Sequence, residues 1–289
     1  MTQKYAYYPG CSLHSTGAEY DTSFRAVCDK VGVELQEIDG WICCGTSPAH
    51  CTSKLLSLAL PYKNLCLAEK MGLTEVVAPC AACFSRLKAA TYEATEHPEI
   101  ERQLSDILET PLPKSLNIVS PLEIFSNGID VTSAVTRELG ELKVVCYYGC
   151  LLTRPPKVMQ FDECEYPMSM DRLLRSVGIA TLDWSYKTDC CGGSLALTET
   201  EVVCKLTHEI FEEAKAVGAN AVAVACPLCQ ANLDTRQAEI EQKYGTNYGL
   251  PIFYFTQLMA LAFGVPPDKL GLHKHFVSAD ELLAGICKG

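Results

Sequence analysis

Apolar residues recur along the chain in two alternating rhythms. A short apolar run, Tyr5 to Tyr8, predicts a strand that ends at Pro9. Phe24, Val27, Cys28 and Val31 then fall at i, i+3, i+4 and i+7, the spacing of one buried helical face, and Gly32 ends that helix. Val33 to Ile38 predicts the next strand, a helix follows from about Ser53 to Met71 with Gly72 as its stop, and Val76 to Ala78 predicts another buried strand. Helices run on to about Leu108, where Pro111 and Pro113 break the run. Asn117 to Val119 predicts a strand. Ser120-Pro121-Leu122-Glu123 has the form of a helix start, with an N-cap serine, a proline at the first turn and a capping-box glutamate, and that helix stops near Gly128. A short helix is expected around Ser133 to Leu139 before Gly140.

The plan then repeats. Lys143 to Tyr148 predicts a strand, a loop carries Pro155, Pro156 and Pro167, Met170 to Val177 predicts a helix and Ile179 to Trp184 a strand. Thr198 to Glu201 has the form of a second capping box, opening a helix with Val203, Leu206, Ile210, Ala214 and Val217 on one side. Ala221 to Ala225 and Ile252 to Phe255 predict the last strands, Gln257 to Phe263 a helix, and the tail one more short helix begun by Ser278-Ala279-Asp280-Glu281. Strands separated by helices predict an α/β fold: two parallel-sheet cores with helices on both faces. Gly140 is the expected boundary, giving domains 1–140 and 141–289 related by a pseudo-twofold.

Composition narrows the function classes. The 289 residues carry 24 Lys and Arg against 35 Asp and Glu, a net charge of −11, which provides no electrostatic footprint for nucleic acid or an anionic membrane. No apolar run approaches the roughly 18 residues that mark a membrane span, and Met1 to Tyr5 has no signal-peptide apolar region. A soluble cytoplasmic protein is the expectation. The 17 cysteines are then metal ligands or catalytic thiols sooner than disulfides. The chain has no G-x-G-x-x-G element, so no flavin or nicotinamide site of its own is expected.

Ten of those cysteines form one pattern written twice. Cys11, then Cys43-Cys44-Gly45, then Cys80-Ala81-Ala82-Cys83 is matched by Cys150, then Cys190-Cys191-Gly192, then Cys226-Pro227-Leu228-Cys229, at offsets of 139, 147 and 146 residues. Each single cysteine follows two tyrosines and a glycine, in Tyr7-Tyr8-Pro9-Gly10-Cys11 and Tyr147-Tyr148-Gly149-Cys150, with no counterpart of Pro9 in the second copy. Every cysteine element follows a predicted strand, and ligands in such sheets sit outside the carboxyl ends of strands, so each five-cysteine set should converge at one end of its domain. Thiolate-only sites favour zinc or iron–sulfur clusters. Structural zinc takes four ligands, leaving the fifth cysteine as a small buried hydrophobe in that reading. A ferredoxin-type run of closely spaced cysteines is absent.

The duplicated pattern resembles the CCG (cysteine-rich) domains of the heterodisulfide reductase B subunit family, over nearly the whole chain and including the Lys274-His275-Phe276-Val277 tail. The resemblance implies two noncubane 4Fe-4S clusters, one held by Cys11, Cys43, Cys44, Cys80 and Cys83 and the other by Cys150, Cys190, Cys191, Cys226 and Cys229. It implies reduction of a small-molecule disulfide, of the CoM-S-S-CoB type or a related thiol pair, between the two clusters. It also implies two electron-donating partners, a ferredoxin-like protein (the C component) and a flavoprotein (the A component), in assemblies that include electron-bifurcating ones with a hydrogenase or formate dehydrogenase module. Similar chains serve succinate dehydrogenases and fumarate reductases, which is the alternative. The glycine after each cysteine pair is expected to allow close backbone approach to the cluster.

The remaining candidates have plainer readings beside functional ones. His14 and His50 lie near the first motif and are candidate proton donors, against a simple hydrogen bond to the backbone. Cys28, Cys66, Cys146 and Cys204 are expected in the core, and Cys51 is expected to be structural although it lies beside His50. Cys164 and Cys287 have no assigned role. His97 and His208 fall on helices and need no special role. Arg154 and Lys157 are candidates for an anionic substrate, against a solvated loop, and Trp41 and Trp184 are expected to pack before the cysteine pairs.

Overall fold

The computed structural model describes residues 3–46, 48–113 and 115–286; Cys287 lies outside them. The first half runs β1 (Gln3–Tyr7), α1 (Gly10–Leu13), α2 (Ala18–Val31), β2 (Val33–Glu37), α3 (Pro48–Thr52), α4 (Lys54–Glu69), β3 (Glu75–Val77), α5 (Ala81–Glu96), α6 (Pro98–Leu108), β4 (Asn117–Val119) and α7 (Pro121–Ser126). The second runs β5 (Lys143–Tyr147), α8 (Pro156–Met159), α9 (Ser169–Ser176), β6 (Ala180–Leu182), α10 (Thr200–Ala216), β7 (Ala221–Val224), α11 (Pro227–Thr235), α12 (Gln237–Tyr244), β8 (Ile252–Tyr254), α13 (Phe255–Ala262) and α14 (Asp280–Ile286).

Each half builds one four-stranded parallel sheet with helices on both faces, in the orders β2-β1-β3-β4 and β6-β5-β7-β8. The central strands are short apolar runs because both their faces are covered: Val144 to Tyr147 and Ala221 to Val224 are buried. β4 and α7 stand where the sequence placed them. Ser120 and Glu123 form the expected reciprocal capping box, Ser120 Oγ accepting from Glu123 N at 3.2 Å and Glu123 Oε2 from Ser120 N at 2.7 Å.

Two local expectations fail. The second capping box does not form. The chain turns at Thr198, α10 begins at Thr200 after Glu199 with no side-chain cap, and Glu201 pairs instead with Lys243 of α12. The helix expected at Ser133 to Leu139 is only a single 3₁₀ turn, Thr132–Ala134, because Asp130 Oδ1 accepts from the Thr132 and Ser133 amides and holds the chain in a tight turn.

The halves share one core. The Tyr20 ring of α2 stacks on Tyr254 at 4.3 Å, Ser23 and Thr256 hydroxyls meet at 2.7 Å, and Phe125 packs edge-on to Phe255. Lys88 of α5 donates to the Met159 carbonyl of α8 at 2.7 Å. The C-terminal tail is tied down by Asp234, which accepts from the Phe276 and Val277 amides at 2.8 and 3.0 Å. No helix among the described residues is long and apolar enough to cross a membrane.

Candidate metal centres at the junction of the halves

In each half the sheet order reverses beside its first strand, between β1 and β3 and between β5 and β7, and such switch points open a crevice at the carboxyl edge. All ten cysteines stand there. Cys11 follows β1 on α1, the Cys43-Cys44 pair follows β2, and β3 delivers Cys80 and Cys83 to the start of α5. Cys150 follows β5, Cys190-Cys191 follows β6, and β7 delivers Cys226 and Cys229 to the start of α11.

The expected five come together in each half. Cys11 and Cys43 Sγ are 3.8 Å apart and Cys44 and Cys83 Sγ 3.3 Å; Cys150 and Cys190 Sγ are 3.9 Å apart, and Cys191 hydrogen-bonds Cys229. The two sets also touch: the Cys80 thiol donates to Cys226 across the junction. Thiols that donate are held protonated and their acceptors are eased toward thiolate. The Cys83 hydrogen bond brings Cys44 down to about 6, helped by the Thr46 hydroxyl at 2.9 Å. The Cys150 hydrogen bond brings Cys190 down to about 6. Cys226 is lowered by Cys229 and then Cys80, and by amides at the start of α11. The donors Cys83, Cys150 and Cys229 are pushed up. Soft donors sharing protons in this way release them when a metal binds.

The thiols line two cavities instead of closing on a point; among the described residues no three His, Cys, Asp or Glu side chains form a single-ion site. A cavity of about 340 Å³ opens on the first set and one of about 430 Å³ on the second. A larger groove of about 590 Å³ between α7 and α9 contains no thiol and lies apart from this chemistry. The walls are exchanged. Gly193, Ser194 and Ala196 to Thr198 of the second half border the first set, while Thr46, His50, Cys51 and Arg86 of the first half border the second. Thr46, Gly193, Ser194 and Leu228 face both cavities. This reciprocity is what two repeats related by a pseudo-twofold produce. Five soft donors bordering a cavity in each half fit a multinuclear thiolate-held group.

Several supporting residues escaped the sequence reading. Counted from Cys11 and Cys150, Tyr8 matches Tyr147, and Tyr148 stands where Pro9 does, so Pro9 does have a positional counterpart. Tyr8 donates to the Ile42 carbonyl at 2.8 Å and Tyr147 to the Asp189 carbonyl at 2.5 Å. In both halves a tyrosine therefore grips the residue just before the cysteine pair. Trp41 and Trp184 pack edge-on against these same tyrosines. Gly10 and Gly149, both at φ +69°, are needed because a Cβ there would stand 2.9 and 3.0 Å from Cys83 and Cys229 Sγ. The glycines after the pairs have a different reason from the one expected. Gly45 and Gly192, both at φ +75°, face the helices behind, where a Cβ would meet Leu60 and Ala49 or Val203. The repeated Tyr-x-Gly-Cys spacing was the signal that held this information.

The halves differ in what holds each pair in place. In the first, Asn64 accepts from Ile42 N at 2.8 Å and donates to its carbonyl at 3.0 Å. In the second, the wholly buried Lys187 and Asp171 pair at 2.7 Å, Tyr148 donates to Asp171 at 2.8 Å, and the Lys187 carbonyl accepts from Tyr148 N and Gly149 N.

Other candidates separate cleanly. His50 borders the second cavity, while His14 lies against Trp41 with Nε2 3.2 Å from Glu37 and borders neither. Cys28, Cys66, Cys146 and Cys204 are buried, as expected, but Cys51 is exposed at the second cavity instead of packed away. Arg154 is committed to the Cys164 carbonyl, Glu165 and Thr188, and Lys157 borders neither cavity.

The Cysteine-rich domain family (CCG) matches residues 5–88 and again 144–234. The chain is 30% identical over 290 residues to the 8-methylmenaquinol:fumarate reductase membrane anchor subunit of Wolinella succinogenes, covering 98% of this chain and 100% of that one. It is 28% identical to the B subunit of the ferredoxin/F(420)H(2)-dependent CoB-CoM heterodisulfide reductase of Methanosarcina acetivorans, covering 98% and 97%. It is 24% identical to a protein of Archaeoglobus profundus described as like the heterodisulfide reductase B subunit, covering 92% and 93%. A hypothetical protein of Helicobacter pylori shares the fold, with a TM-score of 0.77 at 13% identity over 96% of this chain and 52% of that one.

Proposed function

The chain belongs to the cysteine-rich CCG domain family, which it carries in two copies, and from that we propose that it is the disulfide-reducing component of a heterodisulfide reductase-like complex. The observation that carries this reading is the meeting of two five-thiol sets at cavities with shared walls. In this reading Cys11, Cys43, Cys44, Cys80 and Cys83 hold one noncubane 4Fe-4S cluster and Cys150, Cys190, Cys191, Cys226 and Cys229 hold a second, with the copies dividing at Gly140 into 1–140 and 141–289. Such clusters, when bound, supply electrons singly and offer iron to soft sulfur ligands. The reaction is R–S–S–R′ plus two electrons and two protons, giving RSH and R′SH. The electrons come from partner proteins of the same complex, one ferredoxin-like and one a flavoprotein.

The chain's own residues do the rest. The walls exchanged between halves hold the substrate sulfurs between the sets. Tyr8, Tyr147, Asn64 and the Lys187–Asp171 pair fix the loops that carry the cysteine pairs. His50, at the edge of the second cavity, supplies a proton to a departing thiolate.

The second reading, an electron-transfer component of a succinate dehydrogenase or fumarate reductase-type complex, is favoured by the Wolinella relative. The two are separated by Cys44→Ser and Cys191→Ser. Protein purified without oxygen should contain about eight irons with acid-labile sulfide; zinc without iron sinks both cluster readings. Each variant should abolish disulfide reduction even where the other cluster's spectrum survives. Substantial turnover in a variant lacking one cluster overturns the two-site reaction. Copurification with a succinate-oxidising flavoprotein instead of a bifurcating one favours the second reading.

A further inference from the structure

The two cavities are not electrically alike. Among the described residues no charged side chain borders the first, and no carboxylate borders either, in a chain whose net charge is −11. The second cavity is bordered by one arginine, Arg86, which α5 of the first half delivers across the junction. Among the described residues no hydrogen bond or ion pair holds this guanidinium. Its Nε is buried without a partner. Buried donors are almost always satisfied, and one left open at a cavity wall can take its acceptor from a ligand. The position 146 residues on, Asn232, stands in the second copy where Arg86 stands in the first. There the side chain is fully engaged, donating to the Cys191 carbonyl at 2.7 Å and accepting from Arg236 at 3.0 Å. Among the described residues the first copy presents a guanidinium with no hydrogen-bond partner, its charge balanced only through space by the Cys44 thiol.

We propose that Arg86 binds an oxyanion of the substrate, a carboxylate, sulfonate or phosphate, and so directs the anionic end of a disulfide toward the second cysteine set. This rests on the disulfide reading of the same site and adds to it the charge and direction of the substrate. A planar guanidinium pairs such groups through two parallel N–H bonds, which a lysine or an amide does not reproduce. The neighbouring His50 adds a second donor on the same wall.

The test compares the disulfide of mercaptoacetate with the neutral disulfide of 2-mercaptoethanol, using the intact complex with wild-type chain, Arg86→Gln and Arg86→Lys. Binding of their non-reducible thioether analogues, thiodiacetate and thiodiethanol, is measured by calorimetry in parallel. Wild type should prefer the anionic member of each pair by roughly tenfold or more, the worth of one charge-assisted contact. Arg86→Gln should bring the pairs to parity by raising KM and Kd for the anion alone, and Arg86→Lys should retain part of the preference. An unchanged ratio, or equal loss for both, overturns the proposal. So does a shifted reduction potential with the preference intact, which assigns the charge to the bound cofactor. Anion preference in binding without reduction of either disulfide supports Arg86 while refuting the disulfide reading. Reduction of both with equal KM does the reverse.

Discussion

The first and second halves place five cysteines at the same carboxyl edge, on the same sheet order, yet brace them differently. In the first, the amide of Asn64 clamps both backbone groups of Ile42. In the second, Asn232 donates to the Cys191 carbonyl, and a fully buried ion pair, Lys187 and Asp171, braces the loop before the pair through Tyr148 and its own backbone. Elements that flank the thiols in sequence recur: Tyr8 with Tyr147, Gly10 with Gly149, Gly45 with Gly192. Elements one layer behind are free to diverge, because any chemistry that holds the loop will serve. The two braces do not carry equal risk. A neutral amide that loses its partners leaves dipoles unsatisfied, whereas a buried carboxylate that loses its partner leaves a charge.

Lys187→Met should therefore be the most damaging change, costing about 3–5 kcal/mol by stranding Asp171, while Asn64→Ala should cost about 1–3 kcal/mol. Urea unfolding midpoints measure both, and adding Asp171→Leu to Lys187→Met should recover much of the loss. Equal costs for the two single variants would mean that the braces are equivalent after all.

Next come the glycines behind the pairs. Alanine at either position takes a left-handed conformation worth about 1–2 kcal/mol of strain. Gly45→Ala adds overpacking of about 1–3 kcal/mol, because its Cβ would stand 2.5 Å from Leu60 Cδ1. Gly192→Ala is roomier, the nearest atom being Val203 Cγ2 at 3.0 Å. Unfolding should rank Gly45→Ala as the worse of the two, with lower iron content per chain to match.

Tyr8→Phe and Tyr147→Phe should each cost about 0.5–1.5 kcal/mol, the net worth of one hydrogen bond. The first should be the milder, since Asn64 also donates to the Ile42 carbonyl. Thermal unfolding of the two variants side by side gives the order.

The smallest effect belongs to a part of the second half that the first lacks. Burial lowers the pKa of His275 in the tail, and its Nδ1 has no partner. The neutral ring is the one the fold accepts, so its contribution is complete above the ordinary imidazole pKa and is lost as pH falls through the lowered value. Replacing His275 by Gln should flatten the fall in stability between pH 7 and pH 5, read from urea midpoints at the two pH values. An equally steep fall in the variant would move the acid sensitivity elsewhere.

What was readable in the sequence follows from range. Strands such as Asn117–Val119 and the Ser120 capping box are set by residues three or four apart, and they stand as expected. The cysteine sets were readable because the same spacing occurs twice. The Thr198 to Glu201 start failed because Lys243, 42 residues from Glu201, offers its side chain a partner that a local reading does not contain. Arg86, Asn64 and Lys187 were invisible for the same reason: each acts on groups brought near only by the sheet crossovers. Cys51 was misjudged because α3 presents it to the other half's cavity.

The exchanged walls have a consequence for the history and assembly of the chain. Thr46 of one copy and Ser194 of the other each face both cavities, so a lone copy would own a set of thiols but lack part of the enclosure around it. A protein of single length would have had to pair with itself to complete either chamber. Joining the copies end to end replaces that encounter with an intramolecular one, at effective concentrations in roughly the millimolar range for a short connection. Once joined, the copies were released from being identical, and one chamber was free to acquire a cation that the other never needed.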